Sequence, residues 1–194
     1  MKVALLAHDR FPIRAPFAGG HESFTWHLTR ELRRQGIEVV LFAGPGSDPA
    51  LGAEELGFTP PPISERARAD VSMPPGAQVE ETVAYLGAMR ALAARPDVDA
   101  VHNNSLHYLP IALADTLPQP FVTTLHSPPT PWMEPVLDLN PRSHTVAVSA
   151  AVAEMWSHVT EARIIRNGVD VDAWSFGPGG DHLVWMGRIV PEKA

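Results

Sequence analysis

The 194-residue sequence has no cysteine, few basic residues and no long apolar run, and each shortage excludes a class of protein. Without cysteine there is no disulfide, no thiolate metal site and no cysteine nucleophile. The 15 Lys and Arg residues against 22 Asp and Glu give a net charge of −7, which argues against nucleic-acid binding. No stretch approaches the ~20 apolar residues of a membrane span, so membrane association is not supported.

The N-terminus carries an apolar stretch that is too short for a secretory signal. Val3–Ala7 precedes the polar residues His8 and Asp9, whereas a signal peptide needs an apolar core of roughly 7–15 residues. We therefore expect a strand here and a cytoplasmic protein.

Short β-type runs alternate with helical patterns along the chain. Most runs are continuously apolar, which is typical of parallel strands covered on both faces. The predicted strands are Val3–Ala7, Val39–Ala43, Ala100–His102, Phe121–Leu125, Thr145–Val148, Arg163–Ile165 and His182–Met186. This repetition requires right-handed crossovers and predicts an α/β fold, a doubly wound parallel sheet of Rossmann type.

Three helices are predicted between these strands. The first runs from about His21 to Gln35 with Gly36 as its stop, and its inward stripe is Phe24, Leu28 and Leu32. The second runs from about Glu80 to Arg95, with Val83, Leu86 and Met89 inward. The third begins at Ser149 as N-cap and has Val152 and Trp156 on one face.

Two segments interrupt this alternation. Residues 44–78 are rich in proline, which predicts a long surface excursion with little regular structure. Residues 176–180 form a short Gly/Pro linker before a new strand. We expect residues 1–175 to form one domain, and residues 176–194 to be the linker and first strand of a second, truncated domain.

Gly19 and Gly20 lie between the first strand and the first helix, followed by His21 and Glu22. Paired glycines allow close approach of backbone N–H groups to an anion at a helix N-terminus, but they also form ordinary turns. The dinucleotide fingerprint G-x-G-x-x-G is absent. Both interpretations stay open.

Histidines offer a second set of candidates. His126 follows a strand at the carboxyl end, where open α/β sheets bind ligands, although a plain loop histidine is the slightly favoured interpretation of this residue alone. Residues 102–105 occupy the equivalent end of another strand, and there a cap or loop closure is the favoured interpretation. The nine histidines are otherwise scattered without metal-ligand spacing, and no G-x-S-x-G elbow is present.

Arg188 and Lys193 follow the last predicted strand beside Gly187. Two cations on a loop suit a diphosphate, because arginine offers a planar fork and lysine a point charge. Ordinary surface charge is the alternative.

In this order the segments resemble retaining glycosyltransferases of the GT-B fold, in the large family four that includes sucrose-phosphate synthases and bacterial mannosyl- and glucosyltransferases. The resembling segments are Gly19–Glu22, Leu28–Val39, Asp99–His102, Thr124–His126, Val148–Ser149, Ile165–Asp170 and Trp185–Lys193.

The resemblance implies a nucleotide-sugar donor as substrate and an acceptor that the sequence does not identify. The backbone amides of Gly19 and Gly20 would lie near the donor diphosphate, and His126 would contact the transferred sugar. Arg188 and Lys193 would neutralise the diphosphate leaving group, so neither a metal nor a cofactor is expected. His21 and Glu22 would lie on the acceptor side.

The sequence departs from the family pattern in three respects. Asn104 stands where the family often has a second histidine, and Ala194 stands where glycine is usual. The family's acidic E-x₇-E segment and base pocket belong to the second domain, so we expect half an enzyme that is inactive alone. A nucleotide-sugar 2-epimerase and a non-catalytic nucleotide-sugar-binding module remain alternatives, and the oligomeric state is open.

Overall fold

The structure, a computed structural model, describes residues 1–55, 64–70, 72, 75–140 and 143–185. The strands are β1 (Lys2–Leu6), β2 (Glu38–Ala43), β3 (Glu54–Glu55), β4 (Ala100–Asn103), β5 (Phe121–Leu125), β6 (His144–Ala147) and β7 (Arg163–Ile164). The helices are α1 (Gly20–Arg34), α2 (Glu65–Arg68), α3 (Gly76–Ala93), α4 (Tyr108–Ala112), α5 (Glu134–Leu139) and α6 (Ala150–Trp156). Within these ranges no helix combines the length and apolarity that crossing a bilayer requires.

The strands form one parallel sheet in the order β3-β2-β1-β4-β5-β6-β7. The chain runs outward from β1 through β2 to β3, returns to pair β4 with the other side of β1, and continues to β7. This reversal between β1 and β4 is a topological switch point, where loops diverge and leave a crevice at the carboxyl ends of the strands. The predicted doubly wound sheet is confirmed.

Helices cover both faces of the sheet because side chains alternate along each strand. Leu6 belongs to a buried cluster with Tyr85 and Leu92 of α3. Its neighbour Leu5 points the other way, into a second cluster against which Leu28 of α1 packs. The N-terminus of α1 is thereby held beside the carboxyl end of β1.

The inward face of α1 differs from the predicted stripe. Its fully buried side chains are Glu22, Thr25 and Thr29, while Leu28 and Leu32 are only partly buried. Each threonine hydroxyl donates to the carbonyl four residues earlier, at 3.0 and 2.8 Å. Because these hydroxyls are satisfied within the helix, threonine serves as a small buried side chain. At the other end, Gly36 adopts a φ of 79° and ends the helix as predicted.

The inward face of α3 was predicted only in part. Met89 is buried as expected, but Leu86 is 38% exposed, and Tyr85 and Leu92 are fully buried instead. Alanine and leucine occur all around this helix, so the sequence period does not identify the face that meets the sheet.

The proline-rich segment contains more regular structure than predicted. A 3₁₀ turn covers Pro49–Leu51, β3 pairs in parallel with β2, and α2 follows at Glu65–Arg68. Residues 56–63, 71, 73 and 74 lie outside the described residues.

The predicted strand His182–Met186 is not formed at residues 182–185, and Met186 lies outside the described residues. Leu183 and Val184 are 105% and 82% exposed. A strand requires a hydrogen-bonded neighbour, and the described ranges provide none here. The assignment of residues 176–194 to a linker and a second domain stays a prediction.

Candidate active site

Four polar side chains meet at the carboxyl edge of the sheet, beside the switch point. His8 follows β1, Asn104 follows β4, His126 follows β5, and His21 lies in the first turn of α1. The order of the strands thus brings together residues that lie more than a hundred positions apart in the sequence. His126 follows β5 directly, as predicted, and its contact with a ligand stays a prediction.

His126 is held in one orientation by its neighbours. Its Nε2 lies 3.0 Å from the Asn104 side-chain oxygen. With the amide in this orientation, its oxygen can only accept, so Nε2 carries the proton and Nδ1 is left as an acceptor. The rings of His21 and Phe24 pack edge-on against it, with centroids 4.7 and 4.8 Å away.

The imidazole of His126 is neutral at pH 7. Burial, reinforced by the neighbouring His21 and His102, lowers its pKa to about 3. The ring can therefore donate one hydrogen bond and accept another, as recognition of a neutral hydroxyl-bearing ligand requires.

His21 is half-buried, with both ring nitrogens in its shielded part. Within the described ranges neither ring nitrogen has a partner, although both are shielded from solvent. Its ring lies between those of His126 and His8, at centroid distances of 4.7 and 5.9 Å. Burial and the nearby His8 lower its pKa, so this ring is also neutral near pH 7.

The two glycines before α1 differ in their surroundings. Gly19 is the N-cap in extended conformation, and a Cβ there would come within 3.1 Å of the Glu22 carboxylate. A Cβ on Gly20 would meet nothing within 4 Å in the described part of the chain. The Gly19 side is therefore occupied by Glu22, whereas the Gly20 side is open to a ligand.

Glu22 lies at the third position of α1 and is only 4% exposed. A carboxylate in the first turn interacts favourably with the positive end of the helix dipole. The structure therefore gives Glu22 a role in the helix start, and its predicted acceptor contact stays a prediction.

Of the residues that follow His102, Asn103, Ser105 and His107 stabilise the loop, whereas Asn104 contacts His126. Asn103 Oδ1 accepts from the backbone N and Oγ of Ser105 at 3.1 and 2.7 Å, which confirms the predicted loop closure. His107 caps α4 by accepting from the Leu109 N–H at 3.1 Å. Asn104 is the functional candidate that the sequence missed; its position beside the end of β5 was the available signal.

His102 provides a test of burial at this edge. Its Nε2 lies 2.7 Å from Thr124 Oγ1, and burial lowers its pKa to about 4. The unfolded chain, with the ordinary pKa of 6.5, binds the proton first. The stability that neutral His102 contributes is therefore fully present above pH 6.5, and it is lost as pH falls toward 4.

We expect His102→Gln to flatten this pH dependence. Between pH 6 and 5 it should remove about 1 kcal/mol per pH unit from the slope of the unfolding free energy. Urea denaturation at several pH values measures that slope. Equal slopes for the two proteins would show that His102 is not a buried neutral histidine.

One further group of titratable side chains lies at the same edge. Ligand atoms of His8, Asp9 and Glu81 lie within 4.8 Å of one another, close enough for one cation. Burial, followed by the Asp9 carboxylate, raises the pKa of Glu81. A proton held by Glu81 would relieve the repulsion between these carboxyl groups without a metal.

Arg188 and Lys193, the predicted diphosphate contacts, lie outside the described residues. The structure therefore brings together His126, His21 and the Gly19–Gly20 loop, and their relation to the two cations stays a prediction.

A known protein family matches most of this sequence. The model described as Glycosyltransferase Family 4 matches residues 18–173, more than half of the 194 residues. No curated protein matches the sequence. The matched range contains His21, Asn104 and His126, and the all-parallel sheet is consistent with the N-terminal domain of a GT-B enzyme. The chain belongs to glycosyltransferase family 4.

Proposed function

We propose that the protein transfers a hexose from a nucleotide-sugar to an acceptor with retention of the anomeric configuration. The observation that carries this proposal is the convergence of His126, His21 and Asn104 at the switch-point crevice of a family 4 chain. These neutral groups offer hydrogen bonds to hydroxyls, in a place where open α/β sheets bind their ligands.

His126 would contact the transferred sugar at the reacting centre. Its pKa is depressed to about 3, so at neutral pH it acts as a hydrogen-bonding group that orients the sugar. The bare Nδ1 left by the bond to Asn104 would accept from a sugar hydroxyl.

The leaving group would be stabilised by cations. As the bond from the anomeric carbon to the diphosphate breaks, its electron pair moves to the diphosphate oxygen. Arg188 and Lys193 would neutralise that charge, and the Gly20 amide, on the open side of the loop, would donate to it. In this proposal no metal takes part.

The remaining parts of the proposal concern the complete protein. A second domain, beginning after the linker at residues 176–180, would bind the nucleotide, and the chain without it would be inactive. A cytoplasmic location completes the proposal.

A donor screen on the natural full-length protein tests the proposal. We expect one nucleotide-sugar to release its nucleoside diphosphate and add a sugar to an acceptor, which mass spectrometry detects. An epimerised sugar without transfer would favour the 2-epimerase. Donor binding with neither product would favour a non-catalytic binding module.

A further inference from the structure

Buried polar atoms without partners concentrate around His126. In the described part of the chain, five buried side-chain nitrogen or oxygen atoms lack a hydrogen bond. Three of them are His21 Nδ1, His21 Nε2 and Asn104 Nδ2. The other two belong to Gln119 and Ser143, which precede β5 and β6 at the opposite edge of the sheet.

Such groups are uncommon in folded proteins because each loses its hydrogen bonds to water without replacement. The three atoms are not explained by the packing of the chain itself. The nearest approach is to the Asn104 backbone, a weak hydrogen bond that raises the pKa of His21 but falls short of good hydrogen-bond geometry.

Rotation of the Asn104 amide does not remove the problem. His126 Nε2 occupies one end of this amide at 3.0 Å. If the amide turned over, its nitrogen would meet His126 and its oxygen would be left without a partner instead. One end of the amide is thus free for a ligand in either orientation.

The combination of free groups selects the ligand chemistry. The N–H of a neutral His21 faces the Asn104 backbone carbonyl, so its other nitrogen is the bare acceptor, and the Asn104 amide nitrogen has only donors. A phosphate or carboxylate can only accept, so the bare nitrogen would stay unsatisfied. A hydroxyl group both accepts and donates, and therefore fits both residues.

We propose that His21 and Asn104 form a subsite that recognises a hydroxyl of the transferred sugar. The Asn104 amide donates to the hydroxyl oxygen, and the hydroxyl proton is donated to the bare nitrogen of His21. The two residues flank His126, so the hydroxyl belongs to the sugar that His126 contacts. This inference rests on the proposed function and assigns both residues to donor specificity, in place of the acceptor side that the sequence predicts for His21.

The variant His21→Phe keeps the ring and removes its nitrogens. We expect the melting temperature to be unchanged or higher, because two unsatisfied atoms are lost, whereas a structural histidine would lower it on removal. Asn104→Asp, which keeps an oxygen toward His126 and removes the N–H donors, is the second variant. Ser143→Ala, which removes a hydroxyl that has no partner among the described residues and lies away from the crevice, is the matched control.

The decisive measurement compares a nucleotide-sugar with analogues that each lack one sugar hydroxyl, using full-length enzyme. One analogue should lose about tenfold or more in kcat/KM with wild type and with Ser143→Ala, but less than about threefold with His21→Phe or Asn104→Asp. Unchanged discrimination in both variants would overturn the subsite. If the variants instead lose discrimination against an acceptor that lacks one hydroxyl, the assignment of the subsite to the transferred sugar would be overturned.

A second readout separates failure of this inference from failure of the proposed function. If no nucleotide-sugar is turned over, the proposed function fails, and the NMR signal of the Asn104 side-chain amide is titrated with methyl glycosides. A shift that disappears in His21→Phe supports the hydroxyl subsite. No shift in the wild-type chain overturns it.

Discussion

We expect His126→Phe to lower kcat for sugar transfer by about 100- to 1000-fold, the loss typical of removing one preorganised hydrogen-bonding group from a reacting centre. The substitution keeps an aromatic ring between His21 and Phe24 and removes both nitrogens. Initial rates of nucleoside diphosphate release, measured with saturating donor, give kcat directly.

His144→Phe is the control for this substitution, because His144 is an exposed histidine at the start of β6, away from the crevice. It should keep nearly wild-type kcat. Thermal unfolding of both variants should show intact folds. A His126→Phe enzyme with wild-type kcat would remove His126 from the reacting centre.

The second large effect concerns the support beneath the His126 loop. Trp156 of α6 is fully buried, and its indole N–H donates to the Ser127 carbonyl at 2.8 Å. The apolar residues buried with it are Ile111, Leu125, Met133 and Leu137. We expect Trp156→Ala to lower the free energy of unfolding by about 3–5 kcal/mol, since a large cavity remains.

Denaturant unfolding followed by circular dichroism measures this loss. Trp174→Ala is the matched control, because Trp174 is 75% exposed and its removal should change stability by less than about 0.5 kcal/mol. Trp156→Phe should lose less stability than the alanine variant, because it keeps an aromatic ring in the core. The hydrogen bond to Ser127 is lost in both variants. Similar losses for Trp156→Ala and Trp174→Ala would contradict the packing described here.

The parallel sheet was predictable because its central strands are continuous apolar runs. β5 was predicted with the bounds that the structure has. The predictions for β2, β4 and β7 differ by one residue at one end, and those for β1 and β6 are shifted by one residue. β3 was missed because it consists of two glutamates, whose side chains carry no apolar signal, and it forms only by pairing with β2. Its existence depends on tertiary context.

Helix faces were harder to predict than helices. The sequence marks Leu28 and Leu32 as the inward side of α1, yet Thr25 and Thr29 lie deeper because their hydroxyls are bonded within the helix. α4 and α5 were missed because each spans only five or six residues, too short for a period to show.

The candidate site was half predictable. A histidine directly after a strand, such as His126, is visible in the sequence, and so is the Gly19–Gly20 loop. The partnership of His126 with Asn104 depends on strand order and register across 22 residues. The unsatisfied nitrogens of His21 appear only when its surroundings are known.

A crystal structure of the full-length protein with a non-hydrolysable nucleotide-sugar would show whether the transferred sugar binds at the carboxyl ends of β1, β4 and β5. We expect the sugar to lie against the His126 ring, with one hydroxyl within hydrogen-bond distance of both His21 and Asn104. A sugar bound away from the carboxyl ends of β1, β4 and β5 would contradict this expectation.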